Sequence, residues 1–325
     1  MLDAVNVTPH GVEVLDPSTL GRDDLVAAKQ TGLYIEAELA LRAARELGIT
    51  SASVPPEFPL FVADHMRANG LELLVDDEEF VRRRRVKSGA ELEGIRRAQK
   101  AADAAMGVAA ALIRELRPGL TSEEVRAAMT AVAEEHGCEL PGEVIVSHGA
   151  QSALGHESGF GEIPAGVPVI VDIWPRDRAS RCYADMTRTF VSGGGTPPPE
   201  LADFWKWTKD SLDRVYAQIR AGVDGKTLME TSAQPYIEAG QPTQLTKAPG
   251  ELLEDGYYHS LGHGVGLEVH ERPFMGRLSD ELLAGDVVTL EPGCYRQGFG
   301  GCRLEDLVVV TEGGCEVLTD FPYDL

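Results

Sequence analysis

The spacing of apolar positions changes partway along the chain. From Asp23 to Leu47, Ala, Leu and acidic residues recur at helical spacing, and Gly48 stops the run. Ser53 to Pro59 reads as a Pro-rich break. A second helix is expected over Leu60 to Ala68, before Asn69-Gly70, and Leu71 to Val75 reads as a short buried strand. The strongest helical pattern is Ala-rich and runs from about Glu91 to Leu116, with Ser88 as its N-cap and Arg117-Pro118-Gly119 as its stop. Thr121-x-x-Glu124 is a capping box for a helix reaching about His136. From Glu143 the period shortens. VIVSHG, VPVIVDIW and YADMTRTFVSG read as strands with Gly and Pro between them. Helices follow over Leu201 to about Ile219 and Thr227 to Glu238, and DVVTLEPG, RLEDLVVVT and CEVLTD return to strands. Strands cluster with strands, which favours an α+β fold over regular βαβ alternation. The boundary falls near residue 85, with a short α/β domain over 1–85 and a larger domain over 86–325.

Composition narrows the function. The 325 residues suffice for one large or two modest domains. No run approaches 18 apolar residues, so no transmembrane helix is expected. The N-terminus lacks a basic n-region and an apolar h-region, so it does not read as a signal peptide, and the Asn6-Val7-Thr8 sequon carries no weight without one. The net charge is −22, with −6 in residues 1–85 and −16 in residues 86–325. An evenly acidic chain offers no basic face to phosphates, so nucleic acid is not an expected partner. The five cysteines form no C-x-x-C pair and read as reduced thiols of a cytoplasmic protein. Arg82 to Arg85 reads as a solvated linker whose charges answer Asp76 to Glu79.

Five ionisable residues lie in or beside segments that are otherwise apolar: Asp172 in VIVDIW, Asp185 in YADMTRTF, His263 in HSLGHGVG, Glu291 in VVTLEPG and Glu305 in GCRLEDLVVV. A buried carboxylate is costly unless it is paired or binds metal. Two readings stay open on residues alone. Four carboxylates and an imidazole suit a pair of divalent cations, with Mn, Fe, Co or Zn all compatible, and such a pair activates water. Alternatively each acid has a local partner, Asp185 with Arg188 and Glu305 with Arg303. Gly262, Gly264 and Gly266 around His263 allow close backbone approach. They match no phosphate-loop pattern.

The runs HSLGHGVGLEVHE, TLEPGCY and GGCRLED, with the order Asp, Asp, His, Glu, Glu, resemble the pita-bread metallopeptidases, the family of methionine aminopeptidase, aminopeptidase P and prolidase. The resemblance covers about Arg85 to Thr319. It implies a pita-bread catalytic domain and two divalent metal ions, Mn being the leading choice, held by Asp172, Asp185, His263, Glu291 and Glu305. Asp185 and Glu305 would bridge the ions, a metal-bridging hydroxide would attack, and Glu291 would shuttle the proton. His156 and His270 would act on the substrate carbonyl, and His259, His270 and Arg303 would contact the peptide. Leu267-Glu268-Val269 before His270 looks like the Xaa-Pro branch, dipeptidase or aminopeptidase. The alternatives are the same fold acting on another small substrate, as an amidinohydrolase or a lyase, and a non-catalytic binding scaffold.

Three features depart from the family pattern. Asp172 and Asp185 stand farther apart than usual. Trp174 occupies a position where a small residue is common and is expected to narrow the substrate pocket. The N-terminal domain is short, which leaves open a homodimer of the kind that domain supports in relatives, and a start upstream of Met1.

Overall fold

The computed structural model describes residues 15–325, so Asn6 and its sequon lie outside the described residues. The chain divides into two compact units, Met1–Arg82 and Arg83–Leu325.

The first unit carries α1 (Arg22–Ala27), α2 (Gly32–Glu46), β1 (Ser51–Val54), α3 (Leu60–Ala68) and β2 (Glu72–Val75). The helix expected over Asp23 to Leu47 is two helices. Lys29 turns to φ 55°, and the Thr31 hydroxyl accepts the Tyr34 N–H, so the chain starts a fresh, capped helix. β1 and β2 pair in parallel. β1 begins two residues ahead of the Pro-rich break, and Val54 is buried. β2 is less buried than its apolar sequence suggests, with Leu74 and Val75 exposed, because two strands cannot cover both faces. Ala37, Leu41, Val62, Met66 and Leu73 form the core. The helix α4 (Asp77–Arg85) crosses the division between units.

The second unit opens with α5 (Gly89–Glu115) and α6 (Ser122–Glu135), and both expected capping signals operate. Ser88 and Glu91 exchange bonds across the first turn of α5, as Thr121 and Glu124 do for α6. The strands β3 (Cys138–Glu139), β4 (Ile145–His148), β5 (Pro168–Ile173), β6 (Arg176–Asp177) and β7 (Met186–Val191) follow. β4, β5 and β7 form an antiparallel sheet. The Ala-rich face of α5 packs on it through Ala102, Ala105, Met106, Ala109 and Ile113 against Val146, Val171 and Phe190. Small side chains let helix and sheet approach closely; truncating a fully buried residue such as Ile113 to Ala would cost about 2–5 kcal/mol.

A second helix pair, α7 (Pro199–Tyr216) and α8 (Gly225–Glu238), precedes β8 (Gly262–Gly264), β9 (Glu271–Met275), β10 (Val287–Leu290), β11 (Gly293–Arg296), β12 (Gly300–Arg303), β13 (Asp306–Val310) and β14 (Cys315–Val317). The sheet order is β14-β13-β10-β8-β9, and β11-β12 is a separate hairpin. Phe204, Leu212, Leu228 and Tyr236 of the helices pack on Val288, Leu290 and Val308. An antiparallel bridge between Thr187 and Glu305 joins the two halves. The helix pairs and sheets thus set Asp172, Asp185, His263, Glu291 and Glu305 in or beside strands that meet around one cavity.

The tetrabasic run is not a solvated linker. Arg82 does answer Glu79, but Arg85 grips Asp286 and Arg84 binds Glu271. Lys87, two residues on, is buried with its Nζ 2.6 Å from Glu271 Oε1. Glu271, the first residue of β9, presents a buried carboxylate, and this draws the cations inward. All five cysteines are free thiols, including Cys294 and Cys302, which lie opposite each other in β11-β12. No helix of the described residues is long and apolar enough to cross a membrane.

Candidate active site

Strand alternation supplies the first ligand candidate. β5 is apolar on both faces except at Asp172, which lies opposite Ile145 of β4 and Thr187 of β7. Asp185 immediately precedes β7, His263 is the middle residue of β8, Glu291 follows β10, and Glu305 sits between β12 and β13. All five line one cavity of about 360 Å³. Single ligand atoms of Asp185, His263 and Glu305 lie within 4.8 Å of one another. His263 Nε2 is 3.9 Å from Asp185 Oδ2 and 3.5 Å from Glu291 Oε1.

The glycines around His263 serve the purpose expected of them. A Cβ at Gly262 would overlap the carbonyl oxygen of Thr289, and one at Gly264 would lie 2.5 Å from that of Arg272. β8 can therefore press between β9 and β10 only with bare backbone there.

The local ion pairs that competed with a metal reading do not form. Arg188 pairs with Asp306, and Arg303 donates to Asp172 at 2.6 Å. Glu305 instead accepts from the Thr187 hydroxyl at 2.7 Å. One buried oxygen each of Asp172 and Asp185 has no hydrogen-bond partner. Burial, reinforced by Glu305 and Asp172, holds the Asp185 carboxyl well above the usual range. Burial together with Glu291 and Asp172 does the same to Glu305. Burial pushes Glu291 up to about 8. Four carboxyls share one buried guanidinium, so the cluster lacks positive charge. Burial, then His270, lowers His263 to about 3, which keeps the imidazole neutral. Its Nδ1 faces the Gly264 carbonyl at 3.2 Å. The tautomer that donates there leaves an Nε2 lone pair facing the carboxylates, as a metal-ligating histidine requires. Orphaned buried oxygens, excess negative charge and a neutral imidazole fit divalent cations.

Of the other expected residues, His156, His270 and Arg303 line the cavity. The His270 ring lies 4.2 Å from that of His263. Burial, then proximity to His156, lowers the His270 pKa. His259 does not line the cavity. Its Nε2 meets the Tyr295 hydroxyl at 2.9 Å, and that hydroxyl accepts from Arg303 Nη1 at 3.0 Å. Its reach to the cavity therefore runs through Tyr295. Sequence reasoning missed Tyr295 and Thr187. Tyr295 stands in the quoted run TLEPGCY, where its ring could have been flagged, whereas Thr187 in an apolar strand carried no signal. Glu143, Ile145, Trp174 and Val269 complete the lining.

The profile of metallopeptidase family M24 matches residues 93–312. Xaa-Pro dipeptidase of Pyrococcus furiosus is 31% identical over 237 residues, 72% of this chain and 63% of that protein. Xaa-Pro dipeptidase of Pyrococcus horikoshii is 30% identical over 277 residues, 84% of this chain and 74% of that one. Among solved structures, X-Pro aminopeptidase from Thermotoga maritima superposes with a TM-score of 0.77 at 28% identity, covering 89% of this chain and 78% of that one. The chain belongs to metallopeptidase family M24, and its second unit has the pita-bread fold. It spans just under two thirds of the P. furiosus relative's length.

Proposed function

We propose that the protein is a two-metal hydrolase of Xaa-Pro peptides, a dipeptidase or aminopeptidase. The observation that carries this reading is the convergence of Asp172, Asp185, His263, Glu291 and Glu305 on one cavity, with buried carboxylate oxygens that no protein group satisfies. These five residues would hold two divalent cations, Mn being the leading choice. Bound there, the cations would supply an activated water and Lewis-acid stabilisation of the developing oxyanion.

The chain's own residues do the rest. Glu291 is the most exposed of the four carboxyls, its side chain 20% accessible, which would leave it free to reach both the attacking water and the leaving group. It takes the proton of the attacking water at one carboxylate oxygen and delivers it to the proline nitrogen as the C–N bond breaks. His270 and His156 present ring N–H groups to the scissile carbonyl. Arg303 holds Asp172 in place through its Nη2 and is itself braced by Thr187, Gly155 and Tyr295. Five unpaired thiols support a cytoplasmic setting.

The test is release of proline from Gly-Pro and Ala-Pro, and of the first residue from an Xaa-Pro-Yaa tripeptide, by protein loaded with Mn²⁺ or Co²⁺, against an EDTA control. Cleavage that EDTA abolishes and that Glu291→Gln loses supports the reading. Full activity in Glu291→Gln would remove Glu291 as the proton carrier.

A further inference from the structure

The cavity lining is of two kinds. Arg303 and His156 are polar, and Arg303 is already bonded to Gly155, Tyr295, Thr187 and Asp172. Trp174, Ile145 and Val269 are apolar, with Glu143 as a further lining acid. Trp174 and Val269 pack on the same buried cluster. Glu143 is the one lining carboxylate outside the cluster of four, and its exposed head group is 3.3 Å from Arg126. Glu143 follows Pro141 and Gly142, which lie against Trp174, so a peptide whose ammonium is drawn to Glu143 would bring its N-terminal residue to the indole.

Trp174 cannot readily swing away. It follows Asp172 by two positions, so strand alternation turns its side chain to the same face as that carboxylate. Its Nε1 donates to the carbonyl of Pro141 at 3.1 Å. The adjoining Gly142, at φ 101°, lies against the indole, since a Cβ there would be 3.8 Å from Nε1. One edge is thus tethered, one side packs on the core, and the remainder faces the cavity. The volume, about 360 Å³, is near the lower end of the range of about 300–1,000 Å³ for ligand sites, and cations would occupy part of it.

We propose that Trp174 is a specificity-determining residue that caps the N-terminal side of the substrate, admitting Gly or Ala and excluding Leu or Phe. The inference deepens the peptidase reading and rests on it. The experiment measures kcat/KM of metal-loaded protein on Gly-Pro, Phe-Pro, Gly-Leu and Phe-Leu. A pocket discriminates one methylene by about 10- to 200-fold, so the wild type should favour Gly over Phe by at least about 50-fold in whichever series it cleaves. Trp174→Ala should shrink that ratio at least about tenfold, with cation content unchanged. Trp174→Phe keeps a ring on the core if the Ala variant does not fold, and should shrink the ratio less. Equal cleavage of Gly and Phe substrates by the wild type, or an unchanged ratio in a folded Trp174 variant, overturns the proposal. A requirement for proline is read separately, by comparing Gly-Pro with Gly-Leu. The loss of that requirement would overturn the Xaa-Pro reading while leaving the size preference measurable.

Discussion

Replacing Lys87 by Met should be among the more damaging single changes outside the cavity. The Lys87 side chain is 4% exposed, with Nζ 2.6 Å from Glu271 Oε1 and 2.6 Å from the carbonyl of Arg84. Glu271 is equally buried, its side chain 5% exposed. Met keeps the packing of the aliphatic stem and removes only the ammonium. Breaking a buried pair from one side costs about 3–5 kcal/mol, because the surviving charge stays desolvated. Here Glu271 retains Arg84, at 3.1 Å and 37% exposed. That contact offsets part of the penalty, so the expected loss is about 2–3 kcal/mol. The assay is equilibrium urea unfolding, read on the transition of the second unit if the two units melt apart. Adding Glu271→Gln removes the stranded charge, so the double variant should recover at least about 1 kcal/mol relative to the sum of the single changes. A loss under about 1 kcal/mol, or strictly additive single changes, would refute this assignment of the pair.

Three further outcomes are expected. Burial pushes Asp103 up to about 6. A raised acid favours the folded state below its unfolded pKa near 4 and loses that contribution as pH rises through 6. Asp103→Asn should therefore gain about 1–2 kcal/mol at pH 8, discounted for partial exposure, and little at pH 4; equal gains at both pH values in urea melts would contradict the cause. Ser88→Ala removes the acceptor of the Glu91 N–H at 3.2 Å and should cost about 1 kcal/mol, whereas Ser88→Gly should cost less; no loss for Ser88→Ala in urea melts would show that the cap contributes nothing. Gly262→Ala must push β8 off Thr289, so it should lower cation affinity at least about tenfold by moving His263; unchanged binding in a calorimetric titration would show that β8 has slack.

Local signals in the sequence carried much of the fold. Ser88 with Glu91 and Thr121 with Glu124 announced their helices because capping acts within four residues. β8, β9, β11 and β12 were not legible. They are three to five residues long, and all but β9 contain Gly, so they carry little pattern of their own and are defined by their pairing partners, as when Gly264 of β8 pairs with Val288. Asp172 and its companions stood out as ionisable groups in apolar strands, which is a one-dimensional contrast. Which base each acid meets was not legible, since Arg303 reaches back to Asp172 rather than to its neighbour Glu305. The fate of Arg84 and Arg85 was hidden for the same reason: their partners, Glu271 and Asp286, lie 187 and 201 positions on.

The most direct test of the two-cation site is a calorimetric titration of Mn²⁺ into EDTA-stripped protein, repeated with Asp185→Asn. Asp185, His263 and Glu305 offer ligand atoms within 4.8 Å of one another, and Asp172 and Glu291 extend the set. Two equivalents bound by the wild type, with at least one lost in Asp185→Asn while the fold is retained, is the expected result. Binding of fewer than two equivalents, or a stoichiometry and affinity that Asp185→Asn leaves unchanged, would contradict the assignment of these carboxylates as ligands.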